Sequence, residues 1–385
     1  KGALAALMRR PSLDSFIRLH IEGRIDWPDA TFFDLEDFWR SERLGDVVRE
    51  VGVGALLRAG AELLGTPGRI ERPRGEGDKA RQRRGDAATN KQNVARHYDV
   101  SNDFYRLFLD PEMVYTCAYF TPDLHDDLAR AQRDKLDHIC RKLRLRPGQR
   151  LLDIGCGWGA LIRHAARHYR AICVGVTLSE EQAALAREKI AAEGLSDRCT
   201  VLLADYRELE GEVFDAACSV GMFEHVPIDE HLGYFQAINE RLRPGGLYLH
   251  HAIARKSLDD ERSFRMMGPE YRAIVRYIFP GGELDHLGRT IAHLERNSFE
   301  IHDVEALRLH YMQTTRLWHD RLRARRAEAE RTVGAETTRL WLLYLAAVSI
   351  GFRRDWVGVY QTLVSKSDNG RHTLPRTRAD LYAAV

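Results

Sequence analysis

The turn GCGWG at residues 155–159 has the composition of a nucleotide-binding loop. It follows the short apolar run RLLDI, residues 150–154, and precedes a segment with helical apolar spacing from Leu161 to Tyr169. Glycine lets a backbone approach a ligand closely, and a turn between a strand and a helix lies at the carboxyl edge of an open α/β sheet, where such folds bind ligands. These residues therefore predict a cofactor that contains a nucleoside or nucleotide.

The details of this turn argue against a nicotinamide dinucleotide. Its spacing is G-x-G-x-G rather than G-x-G-x-x-G, and the second strand runs into Thr177 and Leu178 without an acidic residue for the ribose. Asp153 before the turn and Asp205 after the third strand instead resemble the pattern of S-adenosylmethionine-dependent methyltransferases. In that pattern the turn holds the methionine part of the cofactor, and a polar residue after the later strand contacts adenine. A turn that only packs a helix on a sheet is the less favoured alternative.

The segments around the turn predict the fold that positions it. Short apolar runs alternate with helical segments, and the segment from Ser179 to Ala192 begins with a serine suited to cap a helix. Strands are predicted over residues 150–154, 171–176, 200–204, 214–220 and 247–252. Strands separated by helices of this length form parallel sheets with both faces covered. The predicted fold class is α/β, a doubly wound Rossmann-like sheet.

The 385 residues divide by composition into three parts. Residues 1–65 show helical apolar spacing and predict a small helical accessory domain at the N-terminus. Residues 66–90 are rich in glycine, proline and charge and nearly lack large hydrophobic side chains, which predicts a flexible linker. Residues 91–385 predict a single catalytic domain that contains the glycine turn.

Charge and cysteine usage narrow the class of protein. Lys+Arg 58 against Asp+Glu 56 gives a formal net charge of +2, which argues against a globally basic protein that binds nucleic acid. The sequence contains no run of about 18 apolar residues of the kind that spans a bilayer. A cytoplasmic protein with no metal site and with buried, reduced thiols is expected, because no C-x-x-C pair occurs among Cys117, Cys140, Cys156, Cys173, Cys199 and Cys218.

Six long motifs in order resemble the cyclopropane-fatty-acyl-phospholipid synthases and the related mycolic acid methyltransferases. They are ARHYDVSNDFY from residue 95, VYTCAYF from 114, LLDIGCGWG from 151, GVTLSEEQ from 175, SVGMFEHV from 219 and HYMQTTRLWHDR from 310. The resemblance covers roughly residues 91–366. The first 65 residues also resemble the accessory N-terminal domain of the bacterial branch that acts on phospholipids.

The resemblance implies two sets of site residues. Those expected to bind S-adenosylmethionine are Tyr115, Thr116, Asp153, Gly155, Gly157, Thr177, Leu178, Gln182, Asp205 and Tyr206. In this family a bicarbonate ion lies near the reacting methyl group. By motif match, the residues expected to hold it are Cys117, Glu224, His251, Tyr311 and the backbone of Ile253.

The chemistry of the family explains why such residues are needed. The π electrons of an alkene displace the sulfonium methyl group and leave a carbocation, and ring closure then requires loss of a proton from the added methyl. Bound bicarbonate could be the base in an apolar channel. Because two adjacent anions repel, either bicarbonate or Glu224 should carry a proton, or His251 should offset the charge. Aromatic rings that could stabilise the cation are Tyr119, Phe120, Phe223 and Trp318.

The predicted reaction is therefore cyclopropane formation on unsaturated phospholipid acyl chains. A related alkene C-methyltransferase, giving a methylene- or methyl-branched chain, stays open because the same cation can lose a different proton. A methyltransferase for a heteroatom nucleophile and a non-catalytic cofactor-binding scaffold are less favoured. Each residue also has an ordinary interpretation, such as a buried small Cys117, a surface pair at Glu224-His225, or a strand end at His250-His251 with one ring exposed.

Action on bilayer lipids requires docking at the membrane surface. The amphipathic N-terminal helices are one candidate, and anionic headgroups would attract a basic cluster made of Arg316, Arg321, Arg323, Arg325, Arg326 and Arg331. A solvated helix face, mixed with Glu328 and Glu330, is the equal alternative for that cluster. The resemblance implies a homodimer. The sequence departs from many relatives in having no cysteine within residues 346–353, so no role for that thiol is carried over.

Overall fold

A computed structural model describes residues 2–27, 30–41, 53–67, 101–122, 126–209, 211, 213–266, 268–371 and 374–382. The predicted linker, apart from residues 66 and 67, lies outside the described residues. So does the start of the first family motif, residues 95–100.

Besides three short 3-10 helices, sixteen α-helices occur in the described part of the chain. They are α1 Gly2–Arg9, α2 Leu13–Ile21, α3 Phe32–Ser41, α4 Val53–Gly65, α5 Asn102–Arg106, α6 Leu128–Lys142, α7 Ala160–Tyr169, α8 Glu180–Ala192, α9 His231–Arg241, α10 Glu261–Arg265, α11 Pro269–Tyr277, α12 Leu287–Arg296, α13 Arg308–Ala324, α14 Arg326–Val333, α15 Ala335–Arg353 and α16 Ala379–Tyr382.

Seven strands form one sheet in the order β3-β2-β1-β4-β5-β7-β6. They are β1 Arg150–Ile154, β2 Ile172–Thr177, β3 Cys199–Leu203, β4 Phe214–Val220, β5 Leu242–Arg255, β6 Phe299–Ala306 and β7 Val357–Lys366. The five strands β1 to β5 are parallel, as the apolar runs predicted. Their buried side chains pack against helices on both faces, which gives the Rossmann-like α/β fold expected from the sequence.

Beyond the five predicted parallel strands, the sheet has an antiparallel edge, because β7 runs antiparallel to both β5 and β6. Neither β6 nor β7 was predicted from the sequence. Strand β6 carries acidic side chains between its apolar ones, and such an edge strand lacks the continuous apolar run that marks a buried parallel strand. Strand β7 follows three consecutive helices rather than one crossover helix, so the alternating pattern does not locate it.

Capping fixes where the helices near the glycine turn begin. The Ser179 hydroxyl accepts a hydrogen bond from the backbone amide of Gln182, which confirms the predicted cap of α8. The Asp127 carboxylate accepts from the amide of Arg130 at the start of α6. Both helices thereby begin at the edge of the sheet where the glycine turn lies.

The N-terminal helices pack against the α/β domain. Phe33 of α3 is 4% exposed and packs with Ala346 and Ile350 of α15. Asp14 of α2 accepts a hydrogen bond from the Tyr277 hydroxyl at 2.6 Å. The described part of residues 1–65 is thus helical, as predicted, and rests on α15 and α11 through both apolar and polar contacts.

Candidate active site

A cavity lies at the carboxyl ends of β1, β2 and β4 and encloses about 1190 Å³ including its open mouth. All ten residues predicted to bind the cofactor line it: Tyr115, Thr116, Asp153, Gly155, Gly157, Thr177, Leu178, Gln182, Asp205 and Tyr206. For the residues at or after the ends of β1, β2 and β3 the sheet explains this, because parallel strands deliver the residues that follow them to the same edge; Tyr115 and Thr116 come from the segment before α6. Their contact with a bound cofactor stays a prediction.

The glycine turn forms the floor of this cavity. Gly155 and Gly157 have φ values of +79° and +55°, which side chains other than that of glycine rarely adopt. A Cβ added to Gly155 would lie 2.8 Å from the side chain of Met222, whereas one added to Gly157 would meet nothing within 4 Å. The backbone at Gly157 is therefore open to the cavity, as a cradle for a closely bound S-adenosylmethionine requires.

Two pairs of cavity residues are hydrogen-bonded to each other. The Thr177 hydroxyl donates to Gln182 Oε1 at 2.9 Å, which joins two of the residues predicted to bind the cofactor. The carboxylate of Asp205 accepts from Arg207 Nη2 at 2.7 Å and Nε at 2.9 Å. Asp205 is thus bound within the chain, and the Arg207 that it orients also lines the cavity.

Glu224 lies beside the cofactor cavity, in a short turn between β4 and α9, and reaches β5. Its Oε1 accepts the backbone N–H of Ile253 at 2.7 Å. Its Oε2 is buried and has no hydrogen-bond partner among the described residues. Burial raises the pKa of Glu224 to about 7. The amide of Ile253, predicted to hold bicarbonate, is therefore engaged by Glu224, and this carboxyl carries a proton in a large fraction of molecules at neutral pH.

His251 lies on β5 with its ring buried against β7. Gln361 Nε2 lies 3.2 Å from His251 Nδ1, and an amide that donates there leaves the ring proton on Nε2. No described residue bonds to that buried Nε2. Burial, reinforced by Lys135 and Lys142, holds the pKa of His251 well below its ordinary value. His251 is therefore neutral and does not supply the offsetting charge considered for it from the sequence.

The neighbouring His250 points to the other face of the sheet. Its Nδ1 lies 3.0 Å from the Tyr248 hydroxyl, and its ring centroid lies 4.6 Å from that of Phe223. Both histidine rings are buried. The alternative in which one of them is exposed at a strand end is wrong.

Cys117 and Tyr311 lie in an apolar cluster with Ile253 and Phe352. The Cys117 thiol is fully buried, and the acceptors within its reach are the carbonyls of Ala118 at 3.2 Å and Leu307 at 3.8 Å. Burial raises its pKa, so that it stays a protonated donor. The Tyr311 ring stacks on Phe352 with centroids 4.7 Å apart. The structure thus places the five predicted catalytic residues around one apolar region beside the cofactor cavity.

Of the four aromatic candidates, Tyr119 packs against this apolar cluster and the other three belong to neighbouring clusters. Trp318 lies next to the cluster of Cys117, with its ring centroid 5.0 Å from that of Tyr115 and 6.0 Å from that of Tyr311. Tyr119 stacks between two histidines, and Phe120 packs beside one of them. Phe223 belongs to the apolar cluster that also contains Tyr234, away from Cys117. Of the four, Trp318 has the position best suited to face a cation near Tyr311.

The sequence analysis missed Lys135 and Gln361. Lys135 lies on α6 seven residues after Leu128 and four before Ile139, so it occupies an apolar position of the helix, yet its Nζ lines the cavity. A lysine at an apolar position of a predicted helix is the feature of the sequence that could have identified Lys135. No feature of the sequence could have identified Gln361, because β7 was not predicted. Within the described ranges, no group of three or more potential ligands could hold a metal ion.

Comparison with known proteins identifies the family. The profile of the family named mycolic acid cyclopropane synthetase matches residues 86–362. The chain belongs to this family. It is an S-adenosylmethionine-dependent methyltransferase of the cyclopropane synthase family, as the resemblance implied.

Relatives and solved structures agree with this assignment. A probable fatty acid methyltransferase of Pseudomonas putida is 40% identical over 398 aligned positions, which span 97% of this chain and 98% of the relative. The cyclopropane-fatty-acyl-phospholipid synthase of Escherichia coli is 38% identical over 71% of this chain and 68% of its own. The cyclopropane synthase MmaA2 of Mycobacterium tuberculosis matches with a TM-score of 0.68 and 33% identity, over 72% of this chain and 98% of that structure.

A further similar structure was solved with bound ligands. The mycolic acid cyclopropane synthase CmaA1, solved with SAH and CTAB, matches with a TM-score of 0.67 and 34% identity, over 72% of this chain and 98% of that one. The N-terminal helices fall within the stretch shared with the Pseudomonas relative, since that alignment spans nearly the whole chain.

Proposed function

We propose that this methyltransferase adds a methylene carbon from S-adenosylmethionine to the cis double bond of unsaturated phospholipid acyl chains and forms a cyclopropane. The observation that carries the proposal is the pair Glu224 and His251, whose buried Oε2 and Nε2 atoms lack partners among the described residues beside an apolar cluster. Methyl transfer to an alkene needs an apolar site with one polar point where a proton can leave. A related methylene- or methyl-branching reaction is the alternative product.

Different residues of the chain have different roles in the proposed reaction. When bound, S-adenosylmethionine supplies an electrophilic methyl group. The glycine turn with Tyr115 and Thr116 holds and orients it, and the apolar cluster around Phe352 excludes water from the reacting alkene. We propose that Glu224, His251, Cys117 and Tyr311 hold a bicarbonate ion that supplies the base, with the thiol and the Nε2–H as donors.

A phospholipid substrate requires a surface that meets the bilayer. Just beyond the carboxyl end of β5 lies a sheet-edge patch composed of Lys256, Leu258, Arg308, Leu309 and Trp356. Trp356 is 54% exposed, and Asp355 links the patch by pairing with Lys256 at 2.6 Å and Arg308 at 3.5 Å. The next residue, Val357, packs on the cluster that contains Cys117. We propose that this patch docks on the membrane and that the acyl chain enters beside it.

The two docking features predicted from the sequence are largely used inside the molecule. Arg316 pairs with Asp320 and covers the ring of Phe33 at 3.9 Å, and Arg326 pairs with Glu330. Arg321 and Arg325 donate to backbone carbonyls of the segment that follows α5 and of α5 itself. No helix in the described ranges is long and apolar enough to cross a bilayer. Peripheral attachment through the sheet-edge patch is therefore the proposal that we favour.

Lipid analysis tests the proposed reaction. Cells that express the chain should accumulate phospholipid acyl chains that have gained one CH2 unit and have lost alkene reactivity, with the ring protons visible by NMR. A product that has gained one CH2 unit but still reacts as an alkene would support the methylene alternative. Modification of a small heteroatom substrate, with lipids unchanged, would overturn the proposal.

Substitution of Glu224 tests the proposed site. Glu224→Gln should lower turnover at least about 100-fold, because the amide cannot exchange a proton, while the affinity for SAH stays within about twofold. Glu300→Gln, on the exposed edge strand β6, is the matched control and should leave both quantities unchanged. Unchanged turnover in Glu224→Gln would exclude the proposed role.

A further inference from the structure

Lys135 is a buried lysine in the wall of the cofactor cavity. Its side chain is 2% exposed, and Nζ donates to the hydroxyl of Thr116 at 2.8 Å. It projects from the buried face of α6, which also carries Gln132. An ammonium group has three hydrogens, and a single side-chain acceptor leaves most of its hydrogen-bonding capacity for something else.

Among the described residues, no carboxylate oxygen lies within 4 Å of Lys135 Nζ. The contrast with Lys142 at the end of the same helix is informative, because that equally buried lysine pairs with Glu305 at 2.5 Å and Asp303 at 3.4 Å. The nearest acids to Lys135 act at longer range and are bonded elsewhere: Asp110 accepts two backbone amides and Asp153 accepts the Cys218 thiol. A buried charge without a partner is costly, so it needs another explanation.

The ammonium group remains charged under ordinary conditions. Burial lowers the pKa of Lys135 to about 8, so the protonated form still predominates at neutral pH. The ammonium group interacts electrostatically with Asp153 in the cofactor cavity. It also interacts with Cys117 and His251 in the predicted catalytic set. Lys135 thus lies between the two halves of the candidate active site, where His251 is neutral and Glu224 is partly protonated.

We propose that Lys135 is the cation that binds the carboxylate-type anion of this site, either the α-carboxylate of S-adenosylmethionine or bicarbonate. The inference rests on the proposed function in that both anions belong to the same reaction. Thr116 is predicted to contact the cofactor, and its hydroxyl accepts a hydrogen bond from Lys135 Nζ. The ammonium group therefore lies next to the position expected for the ligand. No described carboxylate pairs with this ammonium group, and a bound anion at this position completes the pair.

Binding measurements on Lys135→Met separate the two anions without any lipid substrate. If the anion is the α-carboxylate, the affinity for SAH falls at least tenfold, while that for 5′-methylthioadenosine, which lacks the carboxylate, is unchanged. If the anion is bicarbonate, SAH affinity is retained and the rise in melting temperature that bicarbonate causes in the SAH-bound protein is lost. Lys189→Met is the control, since that lysine lies on α8, donates to the carbonyl of Pro111 and does not line the cavity.

The stability of the variant decides between an anion-binding and a structural role. Removal of an unpaired buried charge should leave the melting temperature of the unliganded protein equal or higher. A structural role predicts the reverse, a lower melting temperature with equal losses of SAH and 5′-methylthioadenosine affinity. A lower melting temperature with equal losses of both affinities would overturn the proposal. So would failure of Lys135→Met to fold, or unchanged binding of both SAH and bicarbonate. None of these experiments measures turnover. An error in the proposed lipid substrate would therefore not change any of their results.

Discussion

Burial, rather than residue type, sets the charges in the candidate active site. Glu224 is an acid whose pKa is raised to about 7 by burial, and the pKa of His251 is lowered for the same reason. The motifs predicted which side chains would be present, because residue identity is printed in the sequence. They could not predict protonation, which depends on how much water each group loses and on which neighbours it gains. Lys135 and Gln361 show this most clearly, since both act through partners distant in the chain.

The raised pKa of Glu224 makes stability depend on pH. The folded value of about 7 lies above the ordinary 4.5, so the folded state keeps a proton that the unfolded state loses. The contribution of Glu224 to folding stability is therefore fully present below about pH 4.5 and is lost as the pH rises through 7. Relative to Glu224→Gln, the unsubstituted protein should lose at most about 3 kcal/mol between pH 4.5 and 8.

Urea unfolding of both proteins at pH 5 and pH 8 measures this difference. The variant should gain in relative stability at pH 8, and most of the change should fall between about pH 5 and 7, the interval between the unfolded and folded pKa values. An equal difference in unfolding free energy at the two pH values would show that Glu224 titrates normally in the folded protein.

At the scale of elements, apolar runs predicted the parallel half of the sheet well. Strands β1 and β4 have the predicted bounds, and β2 and β3 differ by one residue at each end, whereas β5 is longer than the predicted 247–252 at both ends. Their side chains face helices on both sides, so an unbroken apolar run is enough to mark them. The antiparallel edge was missed because β6 mixes acidic and apolar residues. His251, the predicted site residue nearest that edge, consequently had an orienting partner on β7 that the sequence could not show.

The glycine turn allows a sharp test at this scale. Gly155→Ala should lower both stability and SAH affinity, because its positive φ is strained and its Cβ meets Met222. Gly157→Ala has similar backbone strain but no steric neighbour in the protein, so SAH affinity should fall at least tenfold with a smaller loss of melting temperature.

Thermal unfolding and calorimetric titration of the two variants measure both effects. Equal melting temperatures would contradict the steric argument for Gly155. Retained SAH affinity in Gly157→Ala would contradict the assignment of the turn as the cofactor cradle.

At the scale of the whole molecule, side-chain contacts tie the N-terminal helices to the α/β domain, and one of the residues involved, Arg316, belongs to the basic cluster for which docking and a solvated helix face were equal predictions. Phe33 packs under Arg316, and the pairs of Glu36 with Arg353 and Arg354 join α3 to the end of α15. Charge runs alone do not reveal whether a basic cluster faces solvent or another element. The homodimer implied by the resemblance stays a prediction.

Membrane attachment through the sheet-edge patch depends on Trp356. Trp356→Ala should weaken binding to vesicles of phosphatidylethanolamine and phosphatidylglycerol about tenfold, because an indole inserted at the interface is lost. Ile172→Ala is the matched control, since Ile172 is 43% exposed but lies at the opposite, amino edge of the sheet.

Co-sedimentation with vesicles measures the binding, and SAH titration shows that the cavity is intact. Equal weakening in the two variants would indicate non-specific adsorption. Unchanged binding in Trp356→Ala would locate the docking surface elsewhere.

All six cysteines are free and buried; five of them share the core cluster of the parallel sheet, whereas Cys117 lies in the cluster that contains Phe352. A thiol reagent reacts with an accessible thiolate, so each cysteine reacts only when its surroundings open. Cys117 lies in the cluster that joins β7 to α13, whereas Cys140 lies on the buried face of α6 in another cluster. Their modification rates would therefore time local opening of the catalytic region and of the central sheet separately. The native cysteines can therefore report the rates of local opening in these two regions, and no added label is required.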